Sequence, residues 1–296
     1  MTSYWEKHFN TIRKRETPAG GFTLQEQGHY RPDATAWAIL AFRIAGIFPE
    51  VVDRAQARLV KSQQPDGRVP LSPDFSEAYW PTPLAVLSWE GVSRYESQKK
   101  IAVSFLLGAE GSHPPVDKNA PVDHNTALRG WSWTDGAHSW IEPTVLSVMA
   151  LSAAGYGRHL RTKEAIDLIA DRQLPSGGWN YGNRKVFGQE LYPMPDMTGI
   201  ALSALKGRVE ERQVANSLAY LTKQVKQLDT PFSLGWGILG LSAWDKTPEE
   251  KTKLIMKCLD SKNRYGPDDT VSYCILLLSH LASAGLMNLQ SETGKG

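Results

Sequence analysis

Only two cysteines, Cys258 and Cys274, occur in 296 residues, too few for a disulfide framework and suited to a reducing compartment. No stretch reaches the roughly 18 clean apolar residues that a membrane-spanning helix needs. The polar N-terminus, Met1 to Arg15, lacks the apolar centre of a signal peptide. Neither charge sign is in excess: 33 Lys and Arg against 31 Asp and Glu leave a formal +2. No Lys/Arg run offers a groove for a nucleic-acid backbone. The seven histidines are scattered without metal-ligand spacing. A phosphate-binding glycine loop is missing, as is an aspartate-rich motif for a diphosphate and magnesium. These absences predict a cytoplasmic protein, with room for peripheral contact at a membrane surface. They predict no nucleic-acid partner, no metal and no cofactor.

What is present is enough apolar material for a substantial core, 41% hydrophobic against 22% charged, and a repeat. Gln173–Trp179 (QLPSGGW) has an echo at Glu16–Phe22 (ETPAGGF) and a shorter one at Gln63–Gly67 (QQPDG). Each is followed, after a variable loop, by a second signature: an acid, one residue, a Thr and an apolar stretch. Full examples begin at Asp33, Glu142, Asp196 and Asp268, each with Thr two residues on. Trp80-Pro81-Thr82 and Thr230-Pro231 open two more such stretches without the acid, which makes six. The irregular spacing fits insertions in loops on one face.

The two halves of each repeat differ physically. Val214, Leu218, Leu221 and Val225 form one helical stripe among charges, and Leu254, Ile255, Cys258 and Leu259 form another among lysines. By contrast Thr35–Ile44 and Val271–Leu278 are apolar nearly all round. Striped helices keep one face in water, whereas all-apolar ones are buried on every side. The prediction is an all-α (α/α)6 toroid of six helical hairpins, one domain over residues 1–296. Its buried inner helices start near residues 33, 80, 142, 196, 230 and 268, and Gly and Pro turns end the outer ones. The apolar stretches lack the alternation of strands. A straight solenoid would call for polar capping repeats, which are not evident.

The pattern Ala165, Leu168, Gln173, Gly177, Gly178, Trp179 resembles the QW repeat of squalene–hopene and oxidosqualene cyclases. In that family the Gln and Trp tie the end of an outer helix to the next repeat. The Thr-headed inner helices and Gly-Gly-aromatic turns equally resemble the β subunit of protein farnesyl- and geranylgeranyltransferases. The resemblance spans nearly the whole chain and implies an isoprenoid-handling protein, possession of a partner subunit being one form of it. The cyclases' proton-donor motif, Asp-x-Asp-Asp-Thr, is matched by Gly266-Pro267-Asp268-Asp269-Thr270 except that Gly266 replaces the first Asp. The resemblance therefore implies Asp268 as the acid that protonates an alkene and Asp269 as its partner. The alternative for Asp268, Asp33, Glu142 and Asp196 is a first-turn carboxylate that caps an inner helix. A prenyltransferase zinc site is disfavoured, because Thr270 stands where that family has its metal-binding His.

Aromatic residues are the other distinctive feature. Gly130–Thr144 (GWSWTDGAHSWIEPT) carries Trp131, Trp133, His138 and Trp140, and repeats the turn at Trp179. With Trp37, Trp236 and Tyr273 in the inner helices, these are the expected contacts for an apolar isoprenoid or lipid-like ligand, through ring faces that stabilise carbocations. Packing between helix ends is the alternative for each. His138 is a candidate acid/base or hydrogen-bonding group. The Pro-rich segment 109–129 reads as a long functional loop. Two functions follow as expectations: a class II terpene cyclase-like enzyme, or a non-catalytic toroid that binds a lipid or a partner protein.

Overall fold

The computed structural model describes residues 2–117, 120–261 and 268–286. Twelve α-helices occur among them. In chain order they are α1 (Ser3–Arg13), α2 (Pro32–Ala45), α3 (Pro49–Ser62), α4 (Thr82–Trp89), α5 (Glu96–Gly108) and α6 (Ile141–Leu151). Then come α7 (Leu160–Asp171), α8 (Pro195–Leu205), α9 (Glu211–Gln224), α10 (Pro231–Ala243), α11 (Lys251–Asp260) and α12 (Thr270–Leu281). From α2 on, the even-numbered helices are the all-apolar segments. Every residue of α4 is buried, as are nearly all of α6 and α8 and most of α2, α10 and α12. They pack in sequence, α2 on α4, α4 on α6 and onward, and α12 returns to α2. The ring is closed. None of the described helices is long and apolar enough to cross a membrane.

All six inner helices begin within two residues of their expected starts; the first turns of α4 and α10 have no acid, and Asp268 lies before α12. Each inner helix except α12 packs against the outer helix that follows it, as the stripes require. The last inner helix is served differently, because α1 from the N-terminus packs on α12 and completes its hairpin. Trp5 stacks on His280 with centroids 3.6 Å apart, and Tyr4 donates to Asp260 at 3.2 Å. Arg15, only 6% exposed, donates to Thr270 Oγ1 at 3.1 Å and to the Asp268 carbonyl at 2.7 Å. A charged donor that joins the two chain ends holds the ring shut. Arg15→Ala should therefore cost about 3 kcal/mol, because it orphans a buried carbonyl besides losing the bonds. Chemical denaturation checks this, and a variant as stable as the parent would show the latch to be idle.

The recurring Thr pins four of the glycine turns to the inner helix that follows, three of them by an aromatic residue and one by Val69. Thr35, Thr82, Thr144 and Thr198 accept from the backbone N–H of Phe22, Val69, Trp131 and Trp179 at 2.8, 2.9, 2.9 and 3.0 Å. Gly177 and Gly178 have φ of +99° and +82°, a conformation open to glycine at little cost. The packing is tightest between α8 and α10. A Cβ on Gly199 would stand 2.2 Å from the Trp236 carbonyl oxygen, and one on Gly240 would stand 2.6 Å from Gly199 Cα. Glycine at these points lets two helix backbones touch.

Candidate functional site

Three carboxylates of the repeat converge at the end of the ring where the inner helices begin. Asp33, Glu142 and Asp196 are each the second residue of their helix, one position after Pro32, Ile141 and Pro195. None of the three acts as an N-cap, since the cap positions are Arg31, Trp140 and Met194 and these offer no side-chain bond. The capping expectation holds in part: the three acids lie inside the first turn, where the helix dipole favours negative charge, and Asp196 bonds the first-turn Met197 amide, but none of them occupies the N-cap position. Because equivalent repeat positions sit at one height of a ring, the acids face each other across its mouth.

Their surroundings differ. Asp33 is 2% exposed and bonded through both oxygens to Arg31, at 2.9 and 2.7 Å. Asp196 is buried and accepts from the Met197 amide at 2.8 Å. Burial raises its pKa, and backbone bonds partly oppose the rise. Glu142 keeps more accessible surface than either neighbour, although protein surrounds its carboxyl. Among the described residues no cation is named as acting on it. Burial above all, with the charges of Asp196 and Asp33 adding, pushes it up to about 7; a bond from Trp133 partly opposes this. A carboxyl that burial shifts toward the protonated form at neutral pH has one of the properties that general acid catalysis requires.

Aromatic side chains frame this group. Trp133 stacks on Trp140 at 5.2 Å, and His138 lies 4.4 Å from Trp140. The loop is held by Trp140 N–H donating to Trp131 O at 3.0 Å and Ile141 N–H donating to Tyr181 O at 2.8 Å. Burial, and then the charges of Asp196 and Glu142, raise the pKa of the Tyr181 phenol. Within the ring, Trp37 and Trp236 meet edge to face at 5.7 Å. They belong to α2 and α10, which α12 separates, so their contact crosses the interior. The Trp236 indole N–H is buried there without a hydrogen-bond partner.

The remaining expected site residues lie elsewhere. Trp131 and Trp179, both 0% exposed, donate their indole N–H groups to the Leu106 and Ile169 carbonyls at 2.9 and 2.6 Å. They fill the space under outer-helix ends and face no ligand. Gln173 donates to Ser217 of the next outer helix at 2.7 Å. Tyr273 points outward, its hydroxyl bonded to His8 of α1. Asp269 is the N-cap of α12 and accepts from Ser272 N at 2.9 Å and Ser272 Oγ at 2.6 Å. Asp268 precedes the helix, so it is not the counterpart of the three first-turn acids. Its charge acts on Cys258 of α11 and on Tyr273, toward the outer ring. Neither of the two is among the charges that act on Glu142. Gly266 lies outside the described residues.

Sequence reasoning weighed Glu142 only as a cap and did not single out Arg31, Asp196 or Tyr181 as site residues. The usable signal was the repeat itself, since equal positions in a closed ring must converge. The departure of Glu142 from Asp, within the richest Trp segment, marked the repeat to choose.

No protein-family model matches the chain, and no curated protein matches it. Solved structures do. An α-amylase from Clostridium perfringens superimposes with a TM-score of 0.63 at 14% identity, over 93% of this chain and 96% of that one. A type II terpene cyclase from Scytonema, in complex with its substrate geranylgeranyl dihydroxybenzoate, gives 0.57 at 12% over 95% and 97%. PssZ from Listeria monocytogenes gives 0.56 at 12% over 95% of each chain. At these identities the likeness is one of fold, and the chain is an all-α helical toroid similar to those proteins.

Proposed function

We propose that this toroid is an enzyme that protonates an isoprenoid-class substrate at the mouth of the ring, with Glu142 as the acid. The observation that carries the reading is the place of Glu142 in the first turn of α6, where Trp133, stacked on Trp140, bonds to its buried carboxyl. Asp196 and Asp33 keep the proton on Glu142 before reaction and accept the positive field that develops after transfer. The stacked rings and the Trp37–Trp236 floor suit an apolar chain and a developing carbocation. The resemblance to squalene–hopene cyclases and the fold shared with a terpene cyclase that holds a geranylgeranyl substrate support the substrate class. The acid in this reading is Glu142 in place of Asp268, which the motif resemblance points to.

One observation favours a second reading. An acid near pH 7 beside a second carboxylate matches the protonation of an ether oxygen better than that of an alkene, which is far less basic. A glycosidic oxygen is such an acceptor, and one toroid of similar fold is an α-amylase. The test is product formation from squalene, oxidosqualene and geranylgeraniol, set against malto-oligosaccharides, with parent, Glu142→Gln and Asp268→Asn. Turnover of an isoprenoid that Glu142→Gln abolishes and Asp268→Asn spares is the expected result. Loss in Asp268→Asn alone would return the donor role to Asp268. Turnover of the oligosaccharides alone would replace the substrate class, and turnover of neither would leave a binding module.

A further inference from the structure

Eight large apolar side chains are exposed among the described residues. Five of them, Phe75, Val116, Tyr181, Phe187 and Tyr192, belong to loops that lead from an outer helix into the next inner helix. Those loops all lie at the mouth of the ring. Of the rest, Ile101 sits on the flank of α5, and Tyr156 and Leu160 are at the opposite end. The tip that stands out is on a hairpin over residues 185–190. Lys185 pairs with Glu190 and Val186 with Gln189, so Phe187 and Gly188 form its two-residue turn. Both have positive φ, +49° and +77°, a turn whose first position normally takes Asn, Asp or Gly. A Phe there is strained, and at 82% exposure its ring gains little packing to offset the strain. The turn is nevertheless held in place. Phe187 N–H donates to the Pro121 carbonyl at 2.7 Å, and Val186 pairs with Val122 of the 109–129 loop. Tyr192, 86% exposed, is fixed through its carbonyl, which accepts from the Asn180 side-chain amide at 2.7 Å. Apolar tips that are positioned by their backbones yet left in water mark an interaction surface.

We propose that the mouth of the ring docks on a lipid surface, with Phe187 and Tyr192 as its anchors and Phe75 as a further contact. A rigid protein partner needs one continuous apolar face. These tips come instead from separate loops and alternate in sequence with Asp74, Glu77, Arg184 and Lys185. A fluid interface takes each tip singly, the Phe ring among acyl chains and the Tyr ring with its hydroxyl among headgroups. Lys185, 37% exposed and two residues from the tip, adds attraction to anionic headgroups, and Asp123, 3.9 Å from its Nζ, offsets part of it. The same mouth carries Trp133, Trp140 and Glu142, so a substrate dissolved in the bilayer would reach the acid without crossing water. That delivery rests on the isoprenoid reading above, whereas the docking itself does not.

Co-sedimentation of the full chain with phosphatidylcholine vesicles, with and without phosphatidylglycerol, tests the proposal. The parent should partition onto both, and more strongly onto the anionic ones. Phe187→Asn and Tyr192→Ser should each weaken partition by about tenfold, the loss of one aromatic anchor. Phe187→Asn should also melt no lower than the parent, because Asn accepts the left-handed turn. That combination separates an anchor from a residue that holds the fold. Leu160→Ser, 79% exposed at the opposite end, should bind vesicles as the parent does. So should Glu142→Gln, which keeps this test apart from that of catalysis. A parent that does not partition overturns the proposal, as does partition unchanged in Phe187→Asn and Tyr192→Ser or lowered equally by Leu160→Ser. Self-association in place of vesicle binding, lost in Phe187→Asn, would overturn it in favour of a second copy of the chain. Retention on an immobilised α-glucan, lost in Tyr192→Ser, would overturn it in favour of a glycan.

Discussion

Glu142→Gln is expected to lower turnover by about 10³-fold, the range in which one general acid contributes. The amide keeps the size of the side chain and can still bond to Trp133, but it has no acidic proton to give. The same group sets the pH dependence. Activity of the parent should fall as pH rises through about 7, where Glu142 loses its proton. Asp196→Asn removes one of the charges that hold the proton on, so this limb should move to lower pH. A limb that stays in place in Asp196→Asn would show that the carboxylates are not coupled.

Glu142 also links pH to stability. Its folded-state pKa, about 7, lies above its ordinary 4.5, so the folded chain binds the proton more tightly than the unfolded one. Its contribution is therefore fully present below pH 4.5 and is lost as pH rises to about 7. At about 1.4 kcal/mol per pH unit, the loss over the interval from 4.5 to about 7 is at most about 3.5 kcal/mol, and less where solvent reaches the carboxyl. Glu142→Gln should thus be more stable than the parent at pH 8, with the advantage gone near pH 4. Denaturation at the two pH values measures this directly. A function bought with stability at one residue is a mark of catalytic sites.

The second large effect concerns the seam between α8 and α10. Gly199→Val should prevent folding to a soluble monomer, and Gly199→Ala should cost more than about 3 kcal/mol. The obstruction is the Trp236 carbonyl, 2.2 Å from the added Cβ, so backbone rather than a movable side chain must give way. Opening this seam would also displace Trp236 from Trp37 in the ring interior. Gly46→Ala is the control. It has φ of +68° and nothing within 4 Å of an added Cβ, so strain of about 1 kcal/mol is its whole cost. Near-parental stability of Gly199→Ala would mean that the two helices lie further apart.

The repeat, the two kinds of helix and the closed ring were legible in the sequence, because hydrophobic periodicity and glycine turns are local properties of the chain. An all-apolar stretch such as that of α10 has only one stable place, inside a ring of striped helices. The roles of individual side chains were not legible. Trp131 and Trp133 stand two residues apart in one turn, and only the three-dimensional path sends one ring under an outer helix and the other over Glu142. Asp268 and Asp196 share a sequence signature, yet α12 begins after its acid and α8 before its own. The two carboxylates therefore point to different parts of the molecule. Burial above all raises the pKa of Glu142, and the charges of Asp196 and Asp33, far away along the chain, add to the rise. Periodicity is set by each segment on its own, whereas a shifted pKa is the sum of charges and burial that folding alone brings together.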